Sequence, residues 1–169
     1  MRASLAGLNS VAGAPDEPGT LSPGAGLPRS VLFVCGMNSV RSPMAELLAR
    51  QALASTVYVA SAGVRAGERD PFVDAVLAEQ GLSLNDRQPR TLDDLEDDYF
   101  DLIITLSPEA HHTALELTRS MAVDVEYWPT ADPTTATGTR DQILAAYRDV
   151  RQRLSERIAR RFGPQTGAE

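Results

Sequence analysis

From residue 30 onward the chain alternates short apolar runs with longer amphipathic segments, and this alternation constrains the fold more than any other feature. Short apolar runs are typical of buried parallel strands, and amphipathic segments between them are typical of crossover helices. The pattern predicts an α/β fold with strands at residues 31–34, 57–60, 102–106 and 123–127.

Helical spacing predicts the segments that connect these strands. Pro43 fits the first turn of a helix after the first strand, because proline tolerates that position. Asp70-Pro71 starts a short helix, and residues 108–119 form another. Apolar residues at helical spacing from residue 143 to 158 predict a closing helix.

The length of 169 residues and the 43% hydrophobic content suit one domain, which we expect at residues 30–163. Residues 1–29 contain five glycines and four prolines, so we expect a disordered leader there. Residues 164–169 are expected to form a flexible tail. No apolar stretch is long enough for a signal peptide or a membrane span, which favours a cytoplasmic protein without membrane contact.

The charged residues and the cysteine content exclude several classes of function. The formal charge of −7 disfavours nucleic acid as a partner. The chain has no lysine, so all 16 of its Lys and Arg positions are arginine, and Schiff-base chemistry and lysine-bearing nucleotide loops are excluded. Cys35 is the one cysteine of the chain, which rules out an internal disulfide or a thiolate-rich metal site and fits a reducing compartment.

Cys35 follows the first strand directly and precedes Arg41 by six residues, with Ser42 next and a helix beginning there. The spacing alone is a weak signal, but a loop between a parallel strand and a helix directs backbone N–H groups inward and forms an anion site. The Arg41 guanidinium adds a fork that matches two phosphate oxygens. The same donors favour a thiolate, so one loop both binds an anion and activates a nucleophile.

Two further side chains of this loop have expected roles. The Ser42 hydroxyl is placed to donate to the Cys35 sulfur, and Asn38 tolerates a left-handed backbone and can brace the loop. The alternative is that Cys35 is a small buried apolar residue at a strand end and that Arg41 lies on the surface.

The sequence resembles the low-molecular-weight protein tyrosine phosphatase family, a superfamily that includes some arsenate reductases. The resemblance covers residues 30–162 and rests on VLFVCGMNSVRSPMAE at 31–46, Ser61-Ala62-Gly63, Asp70-Pro71 and Asp132-Pro133. It implies a doubly wound, four-stranded parallel sheet of order 2-1-3-4 with helices on both faces. It also places the phosphate loop at the carboxyl ends of the strands.

The resemblance implies a role for each matching residue. Cys35 is the expected nucleophile, Asp132 the general acid and then the base, and Ser42 the group that stabilises the departing thiolate. Asn38 and Ser61 support the loop, and no metal or cofactor is implied. The alternative for Asp132 is a turn aspartate before proline. Asp70-Pro71 is the competing Asp-Pro dipeptide, but its place at a helix start is better explained by N-capping. The phosphate oxygens are held by the loop residues Gly36, Met37, Asn38, Ser39, Val40 and Arg41.

The sequence departs from the family pattern at several positions. Gly36 precedes Met37, whereas the family has glycine at the second place, and Val40 stands where many members carry a second cysteine. Aromatic residues are missing from residues 64–67 and 134–135, where phosphotyrosine-specific members have them. Tyr127 and Trp128 could substitute, although aromatic residues at a strand end are more often core. The loop-bracing histidine of the family is replaced by Arg87, which with Arg65 and Arg69 could either recognise an acidic substrate or be surface arginine.

Three other groups are interpreted as structural or surface features. The acidic residues of 93–98 and the arginines of the closing helix are expected to face solvent. His111 and His112 point about 100° apart on a helix, so they cannot share a metal ion.

The leading hypothesis is a metal-independent phosphomonoester hydrolase that works through a cysteinyl-phosphate and is similar to a protein tyrosine phosphatase. A phosphorylated protein or a small aryl phosphate is the expected substrate, and the protein is expected to be a monomer. One alternative is arsenate reduction, which would require an external thiol such as glutathione or mycothiol. Another is a phosphate-binding module of weak activity.

Overall fold

The structure, a computed structural model, describes residues 26–97 and 99–163. Its strands are β1 (Ser30–Cys35), β2 (Tyr58–Gly63), β3 (Leu102–Thr105) and β4 (Asp124–Tyr127). Its α-helices are α1 (Arg41–Ala52), α2 (Pro71–Ala78), α3 (Pro108–Leu117) and α4 (Arg140–Phe162). Short 3-10 helices form at Leu92–Asp94 and Pro133–Thr135.

The four strands form one parallel sheet in the order β2-β1-β3-β4, which confirms the expected topology. β1 lies in the middle, where Val31 pairs with Val59 on one side and with Leu102 on the other. Because all strands run in the same direction, the loops that follow them meet at one edge of the sheet.

Helices cover both faces of the sheet, as expected for this fold. Val31 and Phe33 of β1 pack in a core with α1, α2 and α4, whereas Leu32 and Val34 point to the other face and pack with Ala110 and Ala114 of α3. The alternation follows from the two-residue period of a strand. Both faces of β1 are therefore buried, which explains its unbroken apolar run.

The predicted ends of the strands are close to the observed ones but not identical to them. β2 continues through Ser61 to Gly63, three residues beyond its apolar run, because Phe33, Val34 and Cys35 of β1 continue to pair with it. Ladder hydrogen bonds, rather than apolar character, decide where a strand ends.

The closing helix differs from the prediction that its arginines simply face solvent. Arg148 and Arg151 both bind the Glu79 carboxylate, which lowers the pKa of Glu79 to about 2, chiefly through these hydrogen bonds. Arg161 binds Glu126 of β4. These arginines therefore connect α4 to neighbouring elements as well as contacting water.

Residues 1–25 of the expected leader, the expected tail at 164–169 and Asp98 of the acidic group lie outside the described residues. Arg29 lies directly before β1, where its N–H donates to the Asp101 carboxylate at 2.7 Å and its carbonyl accepts from Tyr58. Among the described residues, none of the helices combines the length and the apolar character that crossing a membrane requires.

Candidate active site

The loop between β1 and α1 is held by the segment that follows β2. The carbonyls of residues 35–37 accept hydrogen bonds from N–H groups of residues 64–67 at 2.8–3.1 Å. In the described part of the chain, no backbone N–H of residues 36–41 donates to a protein acceptor. α1 also begins without a side-chain cap or an acidic residue in its first turn. The loop therefore offers several free N–H donors beside a helix amino terminus, as an anion site requires.

Gly63 makes the close approach of these two segments possible. A Cβ atom at this position would lie 2.5 Å from the Arg65 carbonyl oxygen and 2.7 Å from the Asn38 nitrogen. Both neighbours are backbone atoms, so neither can move aside without distorting the loop. Only glycine fits here.

Cys35 lies at the end of β1, 2% exposed, and is surrounded by groups of its own loop. The Ser42 hydroxyl oxygen lies 2.9 Å from the sulfur, and the Ser42 N–H points at it from 3.4 Å. Ser42 therefore offers the sulfur two groups that can act as hydrogen-bond donors. The structure therefore places Ser42 where the sequence analysis expected a donor to the sulfur.

Asn38 has a left-handed backbone, with φ 56°, and its side chain is buried. Its amide group donates to the Ser42 hydroxyl at 2.9 Å and to the Ser61 hydroxyl at 3.0 Å, and its oxygen accepts from the Arg90 N–H at 2.9 Å. The bonds link the loop to β2 and to the segment before β3. Asn38 is thus positioned to brace the loop.

The sequence analysis did not identify Glu46. This residue of α1 is 0% exposed, and its carboxylate accepts from the Ser61 hydroxyl at 2.6 Å. Arg87 binds it through two nitrogens at 2.7 and 2.5 Å, and Arg50 binds it at 2.7 Å. A glutamate within the otherwise apolar run of residues 43–49 was the available signal, because a buried carboxylate requires partners.

The three arginines considered for binding an acidic substrate pair with carboxylates of the chain itself. Arg87 binds Glu46, and the other two form ion pairs with acidic side chains on neighbouring helices. These pairs are Arg65 with Glu109 and Arg69 with Asp74.

The side chains of Arg41 and Asp132 lie close to each other beside the loop between β1 and α1. Arg41 donates to the Thr130 carbonyl at 3.0 Å, and its other terminal nitrogen lies 3.9 Å from the Asp132 carboxylate. Asp132 also caps the 3-10 helix Pro133–Thr135 by accepting from the Thr134 N–H and hydroxyl. The expected turn role and the position facing Arg41 are therefore both present.

Several groups change the pKa of Asp132 in opposite directions. Burial raises it, whereas the hydrogen bonds from Thr134 and the charge of Arg41 lower it. The net pKa lies below the usual value for aspartate. The carboxylate form is therefore the resting form at neutral pH.

Tyr127 and Trp128 do not line the space beside Arg41 and Asp132. Trp128 is buried against Phe33, and Tyr127 stacks on His111, whose Nδ1 is hydrogen-bonded to Thr105. Neither residue takes the place of the missing family aromatics. Tyr58 and Tyr99 are exposed, but Tyr58 begins β2 and Tyr99 precedes β3. Both therefore lie at the opposite edge of the sheet from Cys35, which ends β1. The exposed residue of the loop itself is Met37, and an ion pair of Arg65 with Glu109 lies beside Gly36.

Known proteins resemble this chain over most of its length. The arsenate reductase of Bacillus licheniformis is 33% identical over 135 residues, which cover 78% of this chain and 94% of that protein. A solved arsenate reductase of Archaeoglobus fulgidus is 34% identical with a TM-score of 0.56, covering 76% of this chain and 98% of its own. A tyrosine phosphatase of Erwinia amylovora has the same fold, with a TM-score of 0.64 at 24% identity over 84% of this chain and 95% of its own.

The family model described as low molecular weight phosphotyrosine protein phosphatase matches residues 30–164, the region that contains the sheet, its helices and the Cys35 loop. This match confirms the resemblance that the loop sequence indicated. The chain belongs to the low molecular weight phosphotyrosine protein phosphatase family of enzymes.

Proposed function

We propose that this protein is a phosphomonoester hydrolase that works through a cysteinyl-phosphate intermediate and without a metal ion. The observation that carries the proposal is the arrangement of Cys35, Arg41 and Asp132 around one loop of free N–H donors. A nucleophile, an oxyanion clamp and a proton donor are the parts that transfer of a phosphoryl group to sulfur requires.

In the first step the Cys35 thiolate attacks phosphorus, the S–P bond forms, and the bond from phosphorus to the leaving oxygen breaks. Asp132 supplies the proton to that oxygen. Loop N–H groups and the Arg41 fork stabilise the charge on the equatorial oxygens. In the second step Asp132 takes a proton from water, the water oxygen attacks phosphorus, and the thiolate departs toward the Ser42 hydroxyl.

Asp132 has to be protonated for the first step, although its pKa is lowered in the ligand-free protein. A bound phosphate dianion offsets the positive charge of Arg41, which is one of the causes of that lowering. Substrate binding is therefore expected to raise the pKa of Asp132 toward the value that an acid catalyst needs.

We propose phosphorylated protein or small aryl phosphates as the substrate class, on the basis of family membership. Tyr127 and Trp128 do not supply the ring-stacking walls of a phosphotyrosine pocket, since Trp128 is buried and Tyr127 stacks on His111. Selectivity for phosphotyrosine is accordingly expected to be low, with small phosphomonoesters accepted alongside peptides.

Arsenate reduction is the second candidate, because relatives such as the Bacillus licheniformis protein carry that name. Arsenate is a tetrahedral oxyanion like phosphate, and Cys35 would attack arsenic with loss of water. An external thiol would then attack the Cys35 sulfur, so that the electrons of the S–As bond reduce arsenic to arsenite. A second thiol would release Cys35 from the mixed disulfide, because the chain has no second cysteine.

The test compares p-nitrophenyl phosphate and phenyl phosphate as substrates of the wild type, Cys35→Ser and Asp132→Ala. We expect Cys35→Ser to abolish turnover. Asp132→Ala should slow phenyl phosphate more than p-nitrophenyl phosphate, because p-nitrophenolate leaves with little help from an acid. Asp149→Ala, which removes an exposed carboxylate on α4, is the matched control and should retain wild-type rates.

Three outcomes distinguish the candidates. Turnover that survives Cys35→Ser would refute the proposed mechanism. No phosphatase turnover, together with arsenate-dependent oxidation of reduced glutathione that requires Cys35, would establish the reductase instead. Neither activity, with phosphate binding retained by calorimetry, would indicate a binding module.

A further inference from the structure

An exposed ion pair lies across the end of β1, beside the loop that is proposed to hold the phosphate group. Arg65 follows β2, and Glu109 lies in the first turn of α3 after β3, so the pair joins the segments that follow the two neighbours of β1. Both terminal nitrogens of Arg65 bind the carboxylate, and the side chains are 55% and 45% exposed. Because exposed ion pairs contribute little to stability, the position of this pair is more informative than its strength.

The backbone holds both residues against Gly36. The Arg65 N–H donates to the Gly36 carbonyl at 2.8 Å. Ser107 caps the helix that carries Glu109 by accepting from the Ala110 N–H at 3.2 Å. A Cβ atom on Gly36 would lie 3.3 Å from the nearer Glu109 oxygen and 3.8 Å from an Arg65 nitrogen. The pair is thus fixed at the residue that directly follows the proposed nucleophile.

This position brings a carboxylate next to an anion site. Gly36 carries the first of the free N–H donors of residues 36–41, and it has no side chain that would separate Glu109 from a bound phosphate group. A carboxylate there repels the phosphate dianion and any further anionic group on the leaving group, whereas it attracts a cation. Arg65 opposes these effects, because its positive charge lies against the same carboxylate.

The Glu109 carboxylate keeps the capacity to accept a hydrogen bond from a ligand. An ionised carboxylate has about four lone-pair sites, and the Arg65 guanidinium occupies two of them. Within the described part of the chain, Arg65 is the one side chain that donates to it. Its Oε1 atom, which is the oxygen nearer Gly36, is 3.2 Å from the Arg65 nitrogen that binds it. A cationic donor on a ligand would therefore find an acceptor here.

We propose that Glu109 is a specificity-determining residue and that Arg65 is the positioning residue that holds it at Gly36: together they select phosphomonoesters whose leaving group carries a cation over those whose leaving group carries a second anion. The formal charge of −7 acts in the same direction, because it attracts cationic ligands at long range. The inference rests on the proposed function, since it takes the loop of residues 36–41 to hold the phosphate group.

Binding of three phosphonates tests this selection without turnover, because their C–P bond is not an ester. Methylphosphonate is the reference, 2-aminoethylphosphonate adds a cation, and 3-phosphonopropionate adds a carboxylate on a spacer of the same length. Dissociation constants are measured by calorimetry at low ionic strength, at a pH where all three phosphonates are dianions. The proteins are the wild type, Glu109→Gln, Arg65→Met and the double variant, and thermal unfolding shows which of them are folded. Glu116→Gln is the matched control, because Glu116 lies on the same helix and forms an exposed ion pair with Arg119.

In the wild type we expect 2-aminoethylphosphonate to bind more tightly than 3-phosphonopropionate. Glu109→Gln should weaken binding of the first and strengthen binding of the second, each by about threefold, the effect of one unit charge several ångströms away in water. Added salt should reduce both changes, because it screens exposed charges. Glu116→Gln should bind all three phosphonates as the wild type does. An unchanged ratio of the two dissociation constants in Glu109→Gln would overturn the inference.

The sign of the two single variants separates this role from a structural one. Arg65→Met removes the charge that opposes Glu109, so methylphosphonate should bind about threefold more weakly, whereas Glu109→Gln should bind it more tightly by a similar factor. The double variant has neither charge and should return toward the wild type, and Arg65→Lys, which keeps the charge, should also do so. A pair that only braced the loop would weaken binding in both single variants, and that result would overturn the inference.

The selection by Glu109 and the proposed function fail in different ways. Phosphonate binding that depends on Glu109 as described, without hydrolysis of any phosphomonoester, would support the selection and refute the proposed function. Hydrolysis by a wild type whose phosphonate binding equals that of Glu109→Gln would overturn the selection alone. A wild type that binds none of the phosphonates would overturn the selection as well.

Discussion

The Arg41 guanidinium lies 3.9 Å from the Asp132 carboxylate, although the two residues are far apart in the sequence. Arg41 begins α1, and Asp132 follows β4. Burial raises the pKa of Asp132, whereas the hydrogen bonds from Thr134 and the positive charge of Arg41 lower it. The net pKa lies below the usual value for aspartate. The proposed clamp for the substrate oxyanion and the proposed acid are therefore electrostatically coupled.

The coupling predicts an acidic pH optimum for phosphatase turnover. Because the pKa of Asp132 in the free protein is lowered, its protonated fraction already falls within the acidic range as pH rises. We expect kcat/KM for phenyl phosphate to decline correspondingly. Asp132→Ala should lower the rate by roughly 10²-fold to 10⁴-fold and lose this decline. An unchanged descending limb in the variant would show that another group is the acid.

Removing the Thr134 hydroxyl should shift the pH at which kcat/KM declines. Its hydroxyl donates to the Asp132 carboxylate at 2.7 Å and stabilises the charged form. Thr134→Ala removes this bond, so the pKa of Asp132 should rise and the decline of kcat/KM should move to higher pH. The control is Thr135→Ala, because the Thr135 hydroxyl binds the backbone carbonyl of Asp132 and not its carboxylate. A shift in the opposite direction, or an equal shift in both variants, would contradict this assignment.

Oxidation of Cys35 should be hard to reverse. A sulfenic acid is normally protected when a nearby thiol converts it to a disulfide, and this chain has no second cysteine. We expect mild peroxide to inactivate the protein with poor recovery in dithiothreitol. Val40→Cys, which adds a thiol to the same loop, should recover better. Full recovery of the wild type after stoichiometric peroxide would refute this prediction.

The hydrogen bond between Tyr147 and Asp70 should stabilise the domain. The Tyr147 hydroxyl donates to the Asp70 carboxylate at 2.6 Å and connects α4 to the start of α2. Burial and this carboxylate raise the pKa of Tyr147. Tyr147→Phe should lower the free energy of unfolding by about 1.5–3 kcal/mol, the range for a hydrogen bond to a charged group.

The pH dependence of this contribution follows from the sign of the shift. A raised pKa in the folded state means that the stabilisation is fully present below the ordinary tyrosine pKa near 10 and is lost as pH rises beyond it. Denaturant titrations of the wild type and Tyr147→Phe at neutral and alkaline pH should therefore converge at alkaline pH. A constant difference across that range would contradict the assignment.

Much of the fold could be predicted from the residues themselves. The apolar run of β1 required burial on both faces, and the alternation with helical segments required parallel strands. The arrangement of Cys35, Asn38 and Ser42 was also predictable, because one short loop between a strand and a helix has few ways to be built. The positions of β2 and of α4 were predicted to within a few residues.

Glu46 and its partners show what the local pattern could not reveal. The role of a charged residue in the apolar run of α1 cannot be inferred until its partners are known. The partner Arg87 lies 41 residues away in the sequence. The positions of Tyr127 and Trp128 were open for the same reason, since a residue at a strand end can face either the site or the core.

The sequence by itself determined the parallel α/β architecture and the loop that presents Cys35, because strand burial, helix starts and loop geometry depend on neighbouring residues. Only the tertiary structure decided that Asp132 faces Arg41, that Arg87 binds a buried Glu46, and that Tyr127 and Trp128 pack against other residues. Those contacts join segments far apart in the chain, and their energies depend on burial and charge at positions that exist only after the sheet has formed.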